Sequence, residues 1–380
     1  MKVDRATRSA VIVIVIALAC LLAAIPVSAA HRPSPDRKTI VVQDKFGGQI
    51  FGYDIDRNGT EGILSEASLL PDGNLVIATE TFDQKTGKIL KVVQKKTETQ
   101  DNFVTLGVVG SHIGLTQTQH VTGGFVSRRT YAVLNPLDGN QVTGKWTPPL
   151  HDKKQLFEDV EADQGTPNVA VMASSFNCCS RMVFGSDVEA NTFGPIIHLT
   201  DDIFTEGVPP LLAFDSKTNQ AVLAQAQGAP FTIPEIALAD LAGGTVNEFQ
   251  GLGFGFVNGL AVDSATGMAC TTTETDNSAE FYNLKKESGF LVELPVIGKY
   301  SGGLVAADPV NKLFLITHPV PGGPGQIHIY DEKGNLLNSL TGFAMGPAGA
   351  YLAINPNTRT GFLQAPGNNQ NLSALQSFAY

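Results

Sequence analysis

Cysteine, tryptophan and charge are all scarce in this chain, and each shortage removes a class of protein. Four cysteines in 380 residues do not make a disulfide scaffold, which needs several bridges to replace a small core. Cys178, Cys179 and Cys270 follow residue 30, an odd number that leaves at least one thiol unpaired within a monomer. Charged residues are 16% of the chain, 26 Lys and Arg against 36 Asp and Glu. That acidic balance, without clustered Lys or Arg, speaks against a nucleic-acid partner. His112, His120, His151, His198, His318 and His328 show no zinc-ligand spacing. There is no Gly-x-Ser-x-Gly elbow, and no histidine sits in a local motif that would activate a Ser or Cys. Long helical periodicity is nearly missing as well.

The one long apolar run stands at the start. Lys2, Arg5 and Arg8 precede the apolar stretch Val11 to Ile25, and Val27-Ser28-Ala29-Ala30 is a small-residue cleavage site. This predicts an export signal over 1–30, cleaved near Ala29/Ala30, and a secreted or periplasmic product. A membrane anchor is the competing reading, but the run is short of a span and breaks at Pro26. A lipoprotein signal at Ala17-Leu18-Ala19-Cys20 would leave a further apolar stretch at the mature start. The remaining chain is expected to have no membrane span. It carries 23 basic and 35 acidic residues, a balance of −12. Residues 31–38 read as a flexible leader and 39–380 as a single domain.

What fills that domain is a repeat. Leu260-Ala261-Val262-Asp263-Ser264-Ala265-Thr266-Gly267, Leu212-Ala213-Phe214-Asp215, Val305-Ala306-Ala307-Asp308 and Leu352-Ala353-Ile354-Asn355 each run from apolar residues into a polar turn and on into another apolar run. Weaker copies centre on Asp72, Ser127 and Asp163. The markers 72, 127, 163, 215, 263, 308 and 355 are spaced by 55, 36, 52, 48, 45 and 47 residues. Short strands repeating at that period predict an all-β propeller, read as seven blades of about four antiparallel strands. Six or eight blades fit the same rhythm, because the second and third units are irregular. Two N-terminal strands, Thr39–Gln43 and Gln49–Ile55, have no blade of their own. They are expected to pair with the C-terminal strands and close the ring, which removes two exposed edges.

Aligning the repeats on their turns predicts what reaches the mouth of the central channel. The residue five before Asp263 is Asn258; its equivalents are Thr122, Glu158, Pro210, Gly303 and Ala350, with Glu66 in the first blade. Glu66, Glu158 and Asn258 are hard oxygen donors suited to Ca²⁺ or Mg²⁺ rather than a soft metal, or simply solvated groups at a channel mouth. Thr122, Cys178, Cys179 and His318 are expected on the same face. Cys178-Cys179 tips a hairpin with arms Val169–Ser174 and Arg181–Phe184, either as a strained ring or as two thiols. Cys270, in mid-strand, reads as a small buried hydrophobe. Pro319 to Gly325 would overhang the channel mouth.

Phe256-Val257-Asn258-Gly259-Leu260-Ala261-Val262-Asp263 resembles the blade motif of the gluconolactonase/regucalcin-like and YncE/NHL-like propellers. Ser65-Glu66-Ala67-Ser68-Leu69-Leu70-Pro71-Asp72-Gly73 is similar to the Glu-bearing first blade of the former. The gluconolactonase resemblance implies a divalent metal held by Glu66 and Asn258, activating water or a lactone carbonyl. Three departures bear on that: a count nearer seven blades than six, Gly302-Gly303 where a carboxylate belongs, and Glu158 in place of an amide. Asp138 to Trp146 is similar to a repeat of quinone-cofactor propellers, which carry the tryptophan in most blades where this chain has one. Two functions follow. The first is a non-catalytic propeller binding a small molecule, an envelope component or a protein at the channel mouth. The second is a metal-dependent hydrolase or lyase using the same residues, with the metal as Lewis acid and a carboxylate as base.

Overall fold

The polar turns that mark the repeat fold in one way. The computed structural model describes residues 41–42, 49–57, 59–69, 75–97, 101–109, 113–122, 125–134, 155–162, 166–175, 181–188, 190–199, 210–224, 235–253, 257–273, 277–295, 303–320, 324–345, 352–366 and 373–380. Among them Asp263 Oδ1 accepts the backbone N–H of Ala265 at 2.8 Å while Oδ2 accepts the Thr266 hydroxyl at 2.8 Å. Asp215 holds Lys217 and Thr218 in the same manner, and Asp308 holds Val310 and Asn311. Asn355 accepts from Asn357 and Thr358. Each chain then passes through a left-handed residue four positions after the marker: Asn219, Gly267, Lys312 and Arg359, with φ between 54° and 70°. A short acceptor side chain followed by a left-handed residue is a tight-hairpin device, so the repeat heard in the sequence is a repeated turn. Asp83, Asp240, Asn283 and Asp331 use the same device at the next hairpin out.

Seven antiparallel sheets hang on these turns. β1 (Val41–Val42) belongs to the last of them. β2 (Gln49–Ile55), β3 (Glu61–Leu69), β4 (Leu75–Asp83) and β5 (Ile89–Thr97) make the first sheet, and β6 (Asp101–Val109), β7 (Ile113–Thr122) and β8 (Phe125–Leu134) the second. The third has β9 (Gln155–Ala162), β10 (Asn168–Ser175) and β11 (Arg181–Asp187), with β12 (Thr192–Phe193) and β13 (Ile197–His198) both on β11. The fourth comprises β14 (Leu211–Asp215), β15 (Gln220–Ala224), β16 (Glu235–Asp240) and β17 (Thr245–Gln250). The fifth comprises β18 (Val257–Asp263), β19 (Met268–Thr273), β20 (Ser278–Asn283) and β21 (Ser288–Glu293). In the sixth are β22 (Val305–Asp308), β23 (Leu313–His318), β24 (Gly325–Asp331) and β25 (Leu336–Phe343). In the seventh, β26 (Leu352–Asn355), β27 (Thr360–Pro366) and β28 (Ser373–Ala379) are followed by β1 at the edge.

This is an all-β propeller with no helix among the described residues. The expectation of seven four-stranded blades is corrected: six sheets are blades of four strands or more, and the β6–β8 sheet has three. No helix among the described residues is long and apolar enough to cross a membrane.

Adjacent sheets are held face to face by side chains that alternate along each strand. Phe314, Ile316 and Tyr330 of the sixth sheet pack on Cys270, Ala279 and Phe281 of the fifth. On the reverse face, Leu315, Ile327 and Ile329 meet Ile354, Leu363 and Phe378 of the seventh. Both faces of a strand are therefore buried, and β23 reads as an unbroken apolar run rather than an alternating one. Cys270 is fully buried as a free thiol, with burial pushing its pKa up.

The N-terminal expectation is half corrected. β1 does pair with β28, Val41 opposite Gln376 and Val42 opposite Leu375. β2 does not join it: it pairs with β3 as the innermost strand of the first sheet. That sheet in turn packs on the last, Phe82 lying edge-on to Phe362 at 5.4 Å and the Tyr53 hydroxyl donating to the Phe362 carbonyl. The cause is the choice of turn. Asp56 opens the innermost hairpin, and its N–H donates to the Glu61 carbonyl. Asp72 falls between β3 and β4, at the other end of the sheet, and Ser127 lies inside β8.

Candidate functional site

Three innermost strands share a defect at a similar register position. In β18 the pairing skips Asn258, Val257 facing Thr273 and Gly259 facing Thr272. In β9 it skips Glu158. The same irregularity falls at Phe51 in β2, while the bulge at Leu106 in β6 lies nearer the β6–β7 hairpin. A bulge re-aims a residue and bends its strand, and bulges gather at barrel rims and active sites. Phe51, Glu158 and Asn258 lie toward the end of the sheets reached by the loops between second and third strands, so Glu158 and Asn258 stand at similar heights on their first strands. Asn258 is half-buried.

Glu66 and Thr122 are not at that height on innermost strands. Glu66 is on β3, between Ile50 of β2 and Ala78 of β4, one strand spacing outward. Thr122 ends β7 opposite Phe125. Both displacements follow from the misplaced turns at Asp72 and Ser127. The bulged position of β2 at that height, Phe51, is apolar. Cys178 and Cys179 lie outside the described residues, as do Ala350 and the stretch from Asp138 to Trp146. The hairpin arms predicted for the two cysteines are present, Ser174 pairing with Arg181.

His318 was expected on the ligand face and is instead fully buried. It closes β23 opposite Gln326, and its ring lies 4.1 Å from that of His328 on β24. His328 Nε2 is 3.0 Å from Gln326 Oε1, donating in the tautomer that protonates Nε2. Burial holds the His328 imidazole down to about 4. The alternation of β23 places His318 on the same side as Phe314 and Ile316, between the fifth and sixth sheets.

Below the mouth, the innermost strands carry a second set of carboxylates that the turn alignment missed. Asp159 and Glu161 share one face of β9. Asp54 of β2 and Arg57 also act on Glu161. Asp54 Oδ1 and Asp159 Oδ1 each accept the N–H of the next residue, Ile55 at 2.8 Å and Val160 at 2.9 Å. Glu161 is half-buried, and its carboxyl is pushed well above the usual carboxylate range. Burial is the first cause and the charges of Asp159 and Asp54 the next, with Arg57 opposing them. The signal was the alternation Asp159-x-Glu161 two residues before a turn, where β14, β18, β22 and β26 carry Ala213, Ala261, Ala306 and Ala353. Among the described residues no three His, Cys, Asp or Glu side chains gather as a cation site.

The chain matches no protein-family model, and no curated protein matches it.

Proposed function

We propose that this is an exported, non-catalytic propeller of the YncE/NHL-like kind that binds a small polar molecule of the cell envelope at its channel mouth. The reading takes the seven sheets as one closed ring, the three-stranded sheet included, with β1 as the outermost strand of the last blade. One observation carries it. With Glu66 on β3, the bulged positions toward the mouth offer one carboxylate, Glu158, and one amide, Asn258, beside the apolar Phe51. That mixture favours an organic ligand over a bare cation, which needs six to eight oxygens. The raised Glu161 carboxyl supports the rival reading, a gluconolactonase-like hydrolase with Ca²⁺ near Glu158 and Asn258 and a carboxyl as acid.

Melting of residues 31–380 separates the two. Ca²⁺ at a hundred times its Kd would add about 2.7 kcal/mol if it bound the folded chain alone. The binding reading expects no shift with Ca²⁺ or chelator. It expects small-molecule hits from a thermal-shift screen to be lost in Glu158→Gln and Asn258→Ala. A chelator-sensitive melting point, or a lactonase turnover that Glu158→Gln abolishes, would replace it with the hydrolase.

A further inference from the structure

The opposite end of the sheets, where the tight turns lie, holds a cavity of about 740 Å³ between the fifth and sixth blades. Its walls are asymmetric in charge. Lys286 comes from the turn after β20, Lys312 from the turn after β22 and Lys333 from the turn after β24, against one acid, Glu332. In a chain with ten more acidic than basic residues, three ammonium groups around one cavity are a local inversion of sign. The Lys286, Lys312 and Lys333 ammonium groups make no ion pair or hydrogen bond among the described residues, and the Lys333 charge also acts on the neighbouring Asp331 carboxylate.

The floor is apolar. Met268 and Phe290 line it, and Phe290 is 39% exposed although it sits in a regular strand. One face of its ring stacks on the buried Phe281, centroids 5.5 Å apart and planes 8° from parallel. That contact fixes the ring, which also lies close to Gly334 in the turn after β24, and its exposed remainder lines the cavity. The backbone adds a third observation. Lys312 takes the left-handed turn position, φ 55°, that glycine fills at Gly267 in the neighbouring blade. A long side chain at such a φ is disfavoured by about 1 kcal/mol or more, and here it places a third ammonium on the cavity wall.

We propose that this cavity binds a small organic anion with a flat apolar body, an aryl carboxylate or phosphate ester. The body would lie on Phe290 and the charge between Lys286, Lys312 and Lys333. The volume is that of a small-molecule site, and buried apolar contact beside a few charges is how such sites gain both affinity and orientation. The site is separate from the channel mouth and does not depend on what binds there.

The probe is 2-naphthoate, titrated calorimetrically into residues 31–380, with naphthalene-2-methanol as its neutral counterpart and inorganic phosphate as the charge alone. Expected is saturable naphthoate binding at least about tenfold tighter than either control. Lys312→Gly keeps the turn, since glycine adopts that φ without strain, and should weaken binding by about tenfold while melting no lower. Phe290→Ala should weaken naphthoate and leave phosphate unchanged. Equal affinity for the neutral analogue, undiminished binding in both variants, or no binding at millimolar naphthoate would overturn the proposal.

Discussion

Asp308→Ala is expected to lower the unfolding free energy by about 3–4 kcal/mol, read by urea denaturation at pH 7, which is large for one side chain. Asp308 is fully buried and accepts four hydrogen bonds. Val310 N and Asn311 N donate to Oδ1, and Asn311 Nδ2 and the Tyr380 hydroxyl to Oδ2. The first three hold the turn of the sixth blade. The fourth comes from Tyr380, 72 positions away, and ties the seventh sheet to the sixth. Alanine would strand the Tyr380 hydroxyl in a site where burial first, and Asp308 next, already push its ionisation far up. Tyr380→Phe isolates that tie and should cost about 1–2 kcal/mol. Losses below 1 kcal/mol in Asp308→Ala would mean that the turn carboxylates are ornaments of the repeat rather than its cause.

Acid should weaken the fold through His328. Its imidazole titrates at about 4 in the folded chain against 6.5 ordinarily, because it is buried. The unfolded chain therefore takes up a proton that the folded chain refuses. This contribution is fully present above pH 6.5, declines as pH falls from 6.5 to 4, and is flat below that. Over the window it amounts to about 2–3 kcal/mol. The neighbours around the ring are His318 on β23 and Gln326 and Tyr330 on β24, none of which supplies a negative charge that would hold the imidazolium. Glu161 works in the opposite sense, since a raised carboxyl favours the folded chain as pH falls. The difference between the parent and His328→Gln isolates the histidine. Denaturation midpoints at pH 4.5 and 7 should converge in the variant. Parallel pH profiles for the two proteins would place the acid sensitivity elsewhere.

The repeat was legible because it is chemical. Asp215, Asp263, Asp308 and Asn355 each accept from the second and third residues beyond, and that bond is local enough to be read from four letters. The strands of the fifth and sixth blades followed directly, as did the pairing of β1 with β28. The first two blades did not, for a physical reason. Turns at opposite ends of a sheet use the same residue types, so Pro71-Asp72-Gly73-Asn74 looks like an innermost turn as well as Asp56-Arg57-Asn58-Gly59 does. Only pairing across the sheet tells them apart, and it moves Glu66 from the innermost strand to the next. His318 was lost similarly: a histidine at a strand end reads as a surface group until the facing sheet covers it. The carboxylates at Asp54, Asp159 and Glu161 were invisible as a set because β2 and β9 are not adjacent blades.

The register of the first blade decides what the channel mouth carries, and one cross-link tests it. Ile50 and Glu66 face each other as antiparallel partners, at a separation a disulfide spans. Ile50→Cys with Glu66→Cys, in a chain where Cys178 and Cys179 are serine, should form a bridge on mild oxidation, identified by mass spectrometry of the linked peptides. That result puts β2 innermost and Glu66 one strand out, and leaves Glu158 and Asn258 as the polar groups of the mouth. A folded protein that forms no such bridge would return Glu66 to the innermost strand and, with it, the three-oxygen cation site.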